Sequence, residues 1–153
     1  MLAYFDCFSG ISGDMTLGAL IDLGVPLKYL EDRLNSIPLT DFNLTVTPVH
    51  RNGIRAMSVI VGMVDDQTAR NFSDIRSLIV NCPLSERIKS TSLQIFKRLA
   101  ASEAHIHSCS TEEVHFHEVG GIDAIVDIVG TAICLDYLGI EPTRDGVNAP
   151  HRI

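Results

Sequence analysis

Apolar and polar positions recur along this chain with two periods, and the switches between them mark its elements. Residues 2–8 are an apolar and aromatic run broken only by Asp6, the pattern of a buried first strand. Ser9-Gly10-Ile11-Ser12-Gly13-Asp14 follows as a turn rich in glycine and hydroxyls that opens a helix, with Ser12 or Asp14 able to cap its free amides. That helix carries Met15, Leu17, Ala19, Leu20 and Leu23 and stops at Gly24, ahead of Pro26. A second short helix over 27–35 sets Leu27, Leu30 and Leu34 on one side, and Pro38 ends the unit. Two β-prone runs, 43–50 and 54–64, flank Asn52-Gly53, a pair that tolerates positive φ and predicts a type I′ hairpin. Pro48 predicts an edge or a bend in the first of them, and 65–70 read as a polar loop.

From Asn71 the period is helical again. Phe72, Ile75, Leu78 and Ile79 mark a short helix ended by Cys82-Pro83. Ser85 caps a long one with Ile88, Ser92, Ile95, Phe96 and Leu99 at core spacing, fading near His105. A polar connector over 107–112 leads into an extended stretch, 114–117, that places Val114 and Phe116 on one face and His115 and His117 on the other. Beyond Gly120-Gly121 a helix over 122–138 is apolar around most of its circumference, which predicts burial. Its narrow small or polar stripe is Asp123, Asp127, Gly130 and Thr131, and Gly139 closes it. This order predicts a single compact α/β or α+β domain over 1–140. Helices pack on a small mixed sheet that includes the 43–64 hairpin, with the first strand parallel to 114–117. Residues 141–153 show no period and form a tail.

A chain of 153 residues is long enough for one domain with a real core. The net charge of −7, without a Lys/Arg cluster, makes nucleic acid and anionic membrane poor partners. There is no basic leader with a cleavage site and no apolar run of membrane-spanning length, so a cytoplasmic protein is expected. Cys7, Cys82, Cys109 and Cys134 are scattered without a C-x-x-C pair, consistent with reduced thiols.

Candidate chemistry gathers around 115–127. His115 and His117 on one strand face, followed by Glu118, read either as metal ligands or as a hydrogen-bonded surface pair. Asp123 and Asp127 stand four apart on one helical stripe. Asp123 has a sufficient explanation in the helix dipole. Asp127, between Val126 and Ile128, either faces water or is buried and needs a cation or a full set of donors. Asp6 inside an apolar strand needs a partner, whereas Asp14 reads equally as a cap. The 9–13 turn could cradle a phosphate with its amides, although it lacks the Gly-Lys-Ser/Thr of a P-loop. His105 and His107 read as an exposed pair or auxiliary ligands, and Cys7 and Cys109 as packing or soft-metal ligands. No Ser-His-Asp or Cys-His nucleophile constellation emerges.

Two segments carry a resemblance. Tyr4-Phe5-Asp6-Cys7-Phe8-Ser9-Gly10-Ile11-Ser12-Gly13-Asp14-Met15, with Leu17-Gly18-Ala19-Leu20, resembles the opening of the nickel insertion proteins called LarC. Glu113-Val114-His115-Phe116-His117-Glu118-Val119-Gly120, with Asp123 and Asp127-Ile128-Val129-Gly130, resembles that family's second signature. The resemblance spans about residues 1–140 and implies maturation of the nickel-pincer cofactor of lactate racemase. It implies a CTP-dependent chelatase, a lyase, that inserts Ni2+ into pyridinium-3,5-bisthiocarboxylic acid mononucleotide. On that analogy His115, His117, Asp123 and Asp127 hold nickel, and Glu118 or Asp127 takes the ring proton. Asp6, Ser9, Gly10, Ser12, Gly13 and Asp14 then hold the nucleotide-like precursor. Members of the family are longer, and their later region is associated with nucleotide binding, so CTP with its divalent cation would bind outside this chain. Residues from Glu141 onward do not match that continuation. A separately encoded C-terminal portion and an oligomeric assembly are the implied partners. A metal-dependent hydrolase using a metal-activated water and a non-catalytic nickel-delivery module are the competing readings.

Overall fold

The computed structural model describes residues 3–39, 42–63, 70–108, 110–114, 116 and 119–140. Among the described residues, five α-helices and one hairpin follow in the order α1 (Gly13–Asp22), α2 (Leu27–Leu34), β1 (Phe42–Arg51), β2 (Ile54–Met63), α3 (Phe72–Asn81), α4 (Glu86–His107) and α5 (Ile122–Tyr137), with a single 3-10 turn at Thr111–Glu113 between the last two. This is the mixed α and β arrangement expected from the periodicity.

Helix α5 sits at the centre because it is apolar on nearly every side. Ile122, Ile125, Val126, Val129, Ala132, Ile133 and Cys134 are all buried, against α1, α2 and α4. Small residues set the spacing of the neighbours. Leu17 of α1 comes within 3.0 Å, and Leu30 of α2 within 3.5 Å, of where a Cβ on Gly130 would lie. Gly18 of α1 presses on the Met57 backbone carbonyl of β2, leaving no room for a side chain. Phe96 of α4 and Phe116 meet at 6.3 Å between ring centroids, closing the core on the other side.

Local signals explain the element ends. Asn52 and Gly53 take φ of 50° and 81° in the hairpin turn, and the strands pair antiparallel with Val46 opposite Val59. Pro48 lies within β1; β1 pairs only with β2 among the described residues, so the missing amide costs the ladder nothing on the outer side. The Asn71 side chain accepts from the Asp74 amide at 2.9 Å while Asp74 accepts from the Asn71 amide at 3.1 Å, a reciprocal cap on α3. Ser85 caps α4 through the Ile88 amide at 3.3 Å. Helix α4 continues two residues past His105 and ends on Ser108, whose φ is 51°.

The expectation of a first strand over 2–8 needs correction. Residues 3–7 have no regular secondary structure, and Tyr4, Phe5 and Phe8 are exposed, Phe8 to 93%. A strand needs an edge to pair with, and the sheet among the described residues is the two-stranded hairpin alone. Nor, among the described residues, does that segment pair with Val114 or Phe116. Instead, Val114 and Phe116 lie against residues 70–72. The Phe72 amide donates to the Val114 carbonyl at 3.2 Å, and the Phe116 amide to the Arg70 carbonyl at 3.4 Å. No helix among the described residues is long and apolar enough to cross a membrane.

Candidate functional site

Helices α1 and α5 pack together, and their N-terminal ends bring the three carboxylates of Asp14, Asp123 and Asp127 toward one spot. Asp14 lies in the first turn of α1 and Asp123 in the first turn of α5, where each helix dipole favours negative charge. Asp127, one turn further along α5, is half-buried. Its Oδ1 is sealed from solvent with no hydrogen-bond partner among the described residues. Its carboxylate lies against Gly13, where a Cβ would overlap Oδ2, Cγ and Cβ of the Asp127 side chain. A glycine at the start of α1 is thus what lets the two helices meet at this acid.

Burial, then the charge of Asp14, then that of Asp123 push the Asp127 carboxyl up to about 6 from 3.8. Two neighbouring acids and lost hydration act in the same direction, and neither is offset by a donor among the described residues. Such a group is stabilised by a proton or by a cation. The buried reading of Asp127 is the one the packing supports, although the residue retains partial exposure. Among the described residues no three His, Cys, Asp or Glu side chains stand close enough together to hold a metal by themselves.

Other predicted site residues fall differently. His115, His117 and Glu118 lie outside the described residues, as does Cys109. Their described neighbours Val114 and Phe116 are buried, which fits the alternation read from the sequence. Asp6 is exposed in the irregular segment and is not among the charges that shift Asp127. Ser9, Gly10 and Ser12 are exposed. Gly10, at φ 84°, already spends its amide on the Cys7 carbonyl at 2.9 Å. Ser12 is the N-cap residue of α1 but its side chain makes no cap bond. Its carbonyl instead accepts the Thr16 amide at 3.0 Å and the Thr16 hydroxyl at 2.9 Å.

His105 is exposed, and His107 pairs with Glu103 at 3.3 Å. Cys7, Cys82 and Cys134 are free thiols. Burial pushes Cys134 up to about 12, so it stays protonated and inert. Sequence reasoning missed Arg70. Its Nη1 donates to the Gly120 carbonyl at 3.2 Å, while its own carbonyl sits 2.9 Å from where a Cβ on Gly120 would lie. Together with the Phe116 bond, this ties both Phe116 and Gly120 to Arg70. The one sequence signal was a cation directly ahead of the Asn71 cap.

Residues 3–145 match the family described as nickel insertion protein. The chain belongs to the nickel insertion protein family. Among its relatives is a protein of Geotalea uraniireducens (strain Rf4) whose name places it with nickel insertion. It is 50% identical over 141 residues, covering 91% of this chain and 36% of the relative. A Wolinella succinogenes relative of like name is 49% identical over 143 residues, with 92% and 36% covered. One from Synechococcus sp. (strain JA-2-3B'a(2-13)) is 45% identical over 157 residues, with 99% and 39% covered. The chain therefore spans little more than a third of the curated relatives it matches. No solved structure matches it. Residues 4–15 and 113–130 both fall inside the matched span.

Proposed function

We propose that this chain is the nickel-handling part of an enzyme that inserts nickel into pyridinium-3,5-bisthiocarboxylic acid mononucleotide, the precursor of the nickel-pincer cofactor of lactate racemase. The observation that carries the reading is the Asp127 carboxylate, half-buried, with one oxygen lacking a partner among the described residues and crowded by Asp14 and Asp123. Nickel is cargo here, so it must be captured and then surrendered to sulfur and carbon donors. Imidazole from His115 and His117 with carboxylate from Asp123 and Asp127 suits that task, because mixed nitrogen and oxygen ligands bind nickel without trapping it. When the metal–carbon bond forms, the ring carbon gives up its proton, and Glu118 or Asp127 accepts it.

Asp6, Ser9, Gly10, Ser12, Gly13 and Asp14 hold the precursor in this reading. With the Gly10 amide engaged by Cys7, the phosphate would rely on the first-turn amides of α1, which Ser12 leaves uncapped. CTP and its divalent cation bind to a part of the longer relatives that this chain does not cover. The complete enzyme is then a cytoplasmic chelatase of the lyase class, oligomeric, its remainder supplied in one polypeptide or by a separate one.

The test is an insertion assay on a chimera in which this sequence replaces the matched portion of the Geotalea uraniireducens relative. Supplied with precursor, Ni2+, CTP and a divalent cation, it is expected to yield nickel-bound product by mass spectrometry. Asp127→Asn is expected to lower the yield about tenfold or more. Undiminished product from that variant would remove Asp127 from the reaction, and no product from the unaltered chimera would remove the reading.

A further inference from the structure

Helix α1 is apolar on two sides. Leu17, Gly18 and Leu20 are buried, whereas Met15, Ala19 and Leu23, spaced by four and preceded by Ile11, lie on an exposed side. Met15 is 58% exposed and Leu23 65%. An exposed helix face is ordinarily polar, and a second apolar stripe belongs to a helix covered on both sides. Met15, Ala19 and Leu23 form one wall of a groove of about 420 Å³ whose other wall is Ala56, Met57 and Arg55 of β2. Arg55 Nη2 and Asp22 Oδ1 pair at 2.8 Å, so the polar rim is neutralised and the floor is left to carbon and sulfur.

Relatives matched over this chain carry nearly two thirds of their length outside the match, since 36–37% is covered in the Geotalea uraniireducens and Geobacter sp. (strain M21) proteins. In those relatives the remainder belongs to the same polypeptide as the matched unit. The stripe begins beside Gly13 and Asp14, so whatever covers it also walls the acidic spot at Asp127. We propose that the groove between α1 and β2 docks the polypeptide portion corresponding to the unmatched part of these relatives. The docking rests on family membership and stands or falls apart from the nickel assignment.

Methionine oxidation reads the proposal directly, because Met15 and Met63 are both exposed in this chain, to 58% and 41%. Hydrogen peroxide is applied to the isolated chain and to the same chimera with the Geotalea uraniireducens remainder, and sulfoxide is mapped by mass spectrometry. The expected result is that Met15 oxidises about tenfold more slowly in the chimera while Met63 changes little. Leu23→Asp in the chimera is expected to return Met15 to its rate in the isolated chain. Equal Met15 rates in chain and chimera would overturn the proposal, as would protection that Leu23→Asp leaves intact. Protection already present in the isolated chain and lost on dilution would assign the groove to a second copy instead, and overturn it too.

Discussion

Asp127→Asn is expected to flatten the dependence of stability on pH between about 4 and about 6, and to raise stability at neutral pH. The carboxyl of Asp127 titrates at about 6 in the folded chain against 3.8 for a free one. Between those values the folded chain holds a proton that the unfolded chain has released. The stability this proton contributes is fully present below the unfolded value and is lost as pH rises through the folded one. The whole shift corresponds to about 3 kcal/mol, and solvent screening of a half-exposed group reduces that to about 1–2 kcal/mol. Asparagine keeps the shape and drops the charge that Asp14 and Asp123 oppose. Urea unfolding of both proteins at about pH 4.5 and about pH 7.5 measures the difference. A variant less stable than the parent at the higher pH would show that the carboxylate already has a stabilising partner. A carboxylate that weakens the fold at neutral pH, with no donor to its buried oxygen among the described residues, is expected where a cation is taken up.

The largest loss of stability from one added methyl is expected at Gly18. Its Cβ would overlap the Met57 carbonyl oxygen, a backbone atom fixed in the β1–β2 ladder, with Val59 Cγ2 a further contact at 3.8 Å. Relief requires α1 to lift from β2 and from the core around Leu17 and Leu20, at a cost of about 3 kcal/mol. Gly13→Ala differs, because its methyl meets a side chain. Asp127 can turn away, yet its Cβ is also in the path, so a loss of about 1–2 kcal/mol is expected together with displacement of the carboxylate. Chemical denaturation ranks the two. Equal stability of Gly18→Ala and the parent would mean that α1 does not pack on β2 as described.

What the sequence made legible was local. Asn52-Gly53, the Ser85 cap, and the glycines after α1 and α5 act on their own neighbours, so the hairpin and helix ends could be read from composition. The four-residue spacing of Asp123 and Asp127 likewise placed both on one stripe of α5. Burial of α5 followed from its lack of a polar face. The first strand was misread because an apolar run reports burial only when an edge exists to receive it, and the edge is a tertiary fact. The apposition of Gly13 and Asp127 joins residues far apart in sequence, so no local spacing could announce it. The same holds for Arg70, whose role depends on the carbonyl of Gly120 fifty residues on. His115, His117 and Glu118 remain ligand and base candidates from their pattern and from the resemblance.

Calorimetric titration with Ni2+ tests most directly whether the acidic spot at the junction of α1 and α5 takes up the cargo. The chain is compared at neutral pH with Asp127→Asn and with the His115→Ala/His117→Ala double variant. Stoichiometric binding that weakens about tenfold or more in each variant is the expected result. The same affinity in all three would contradict it.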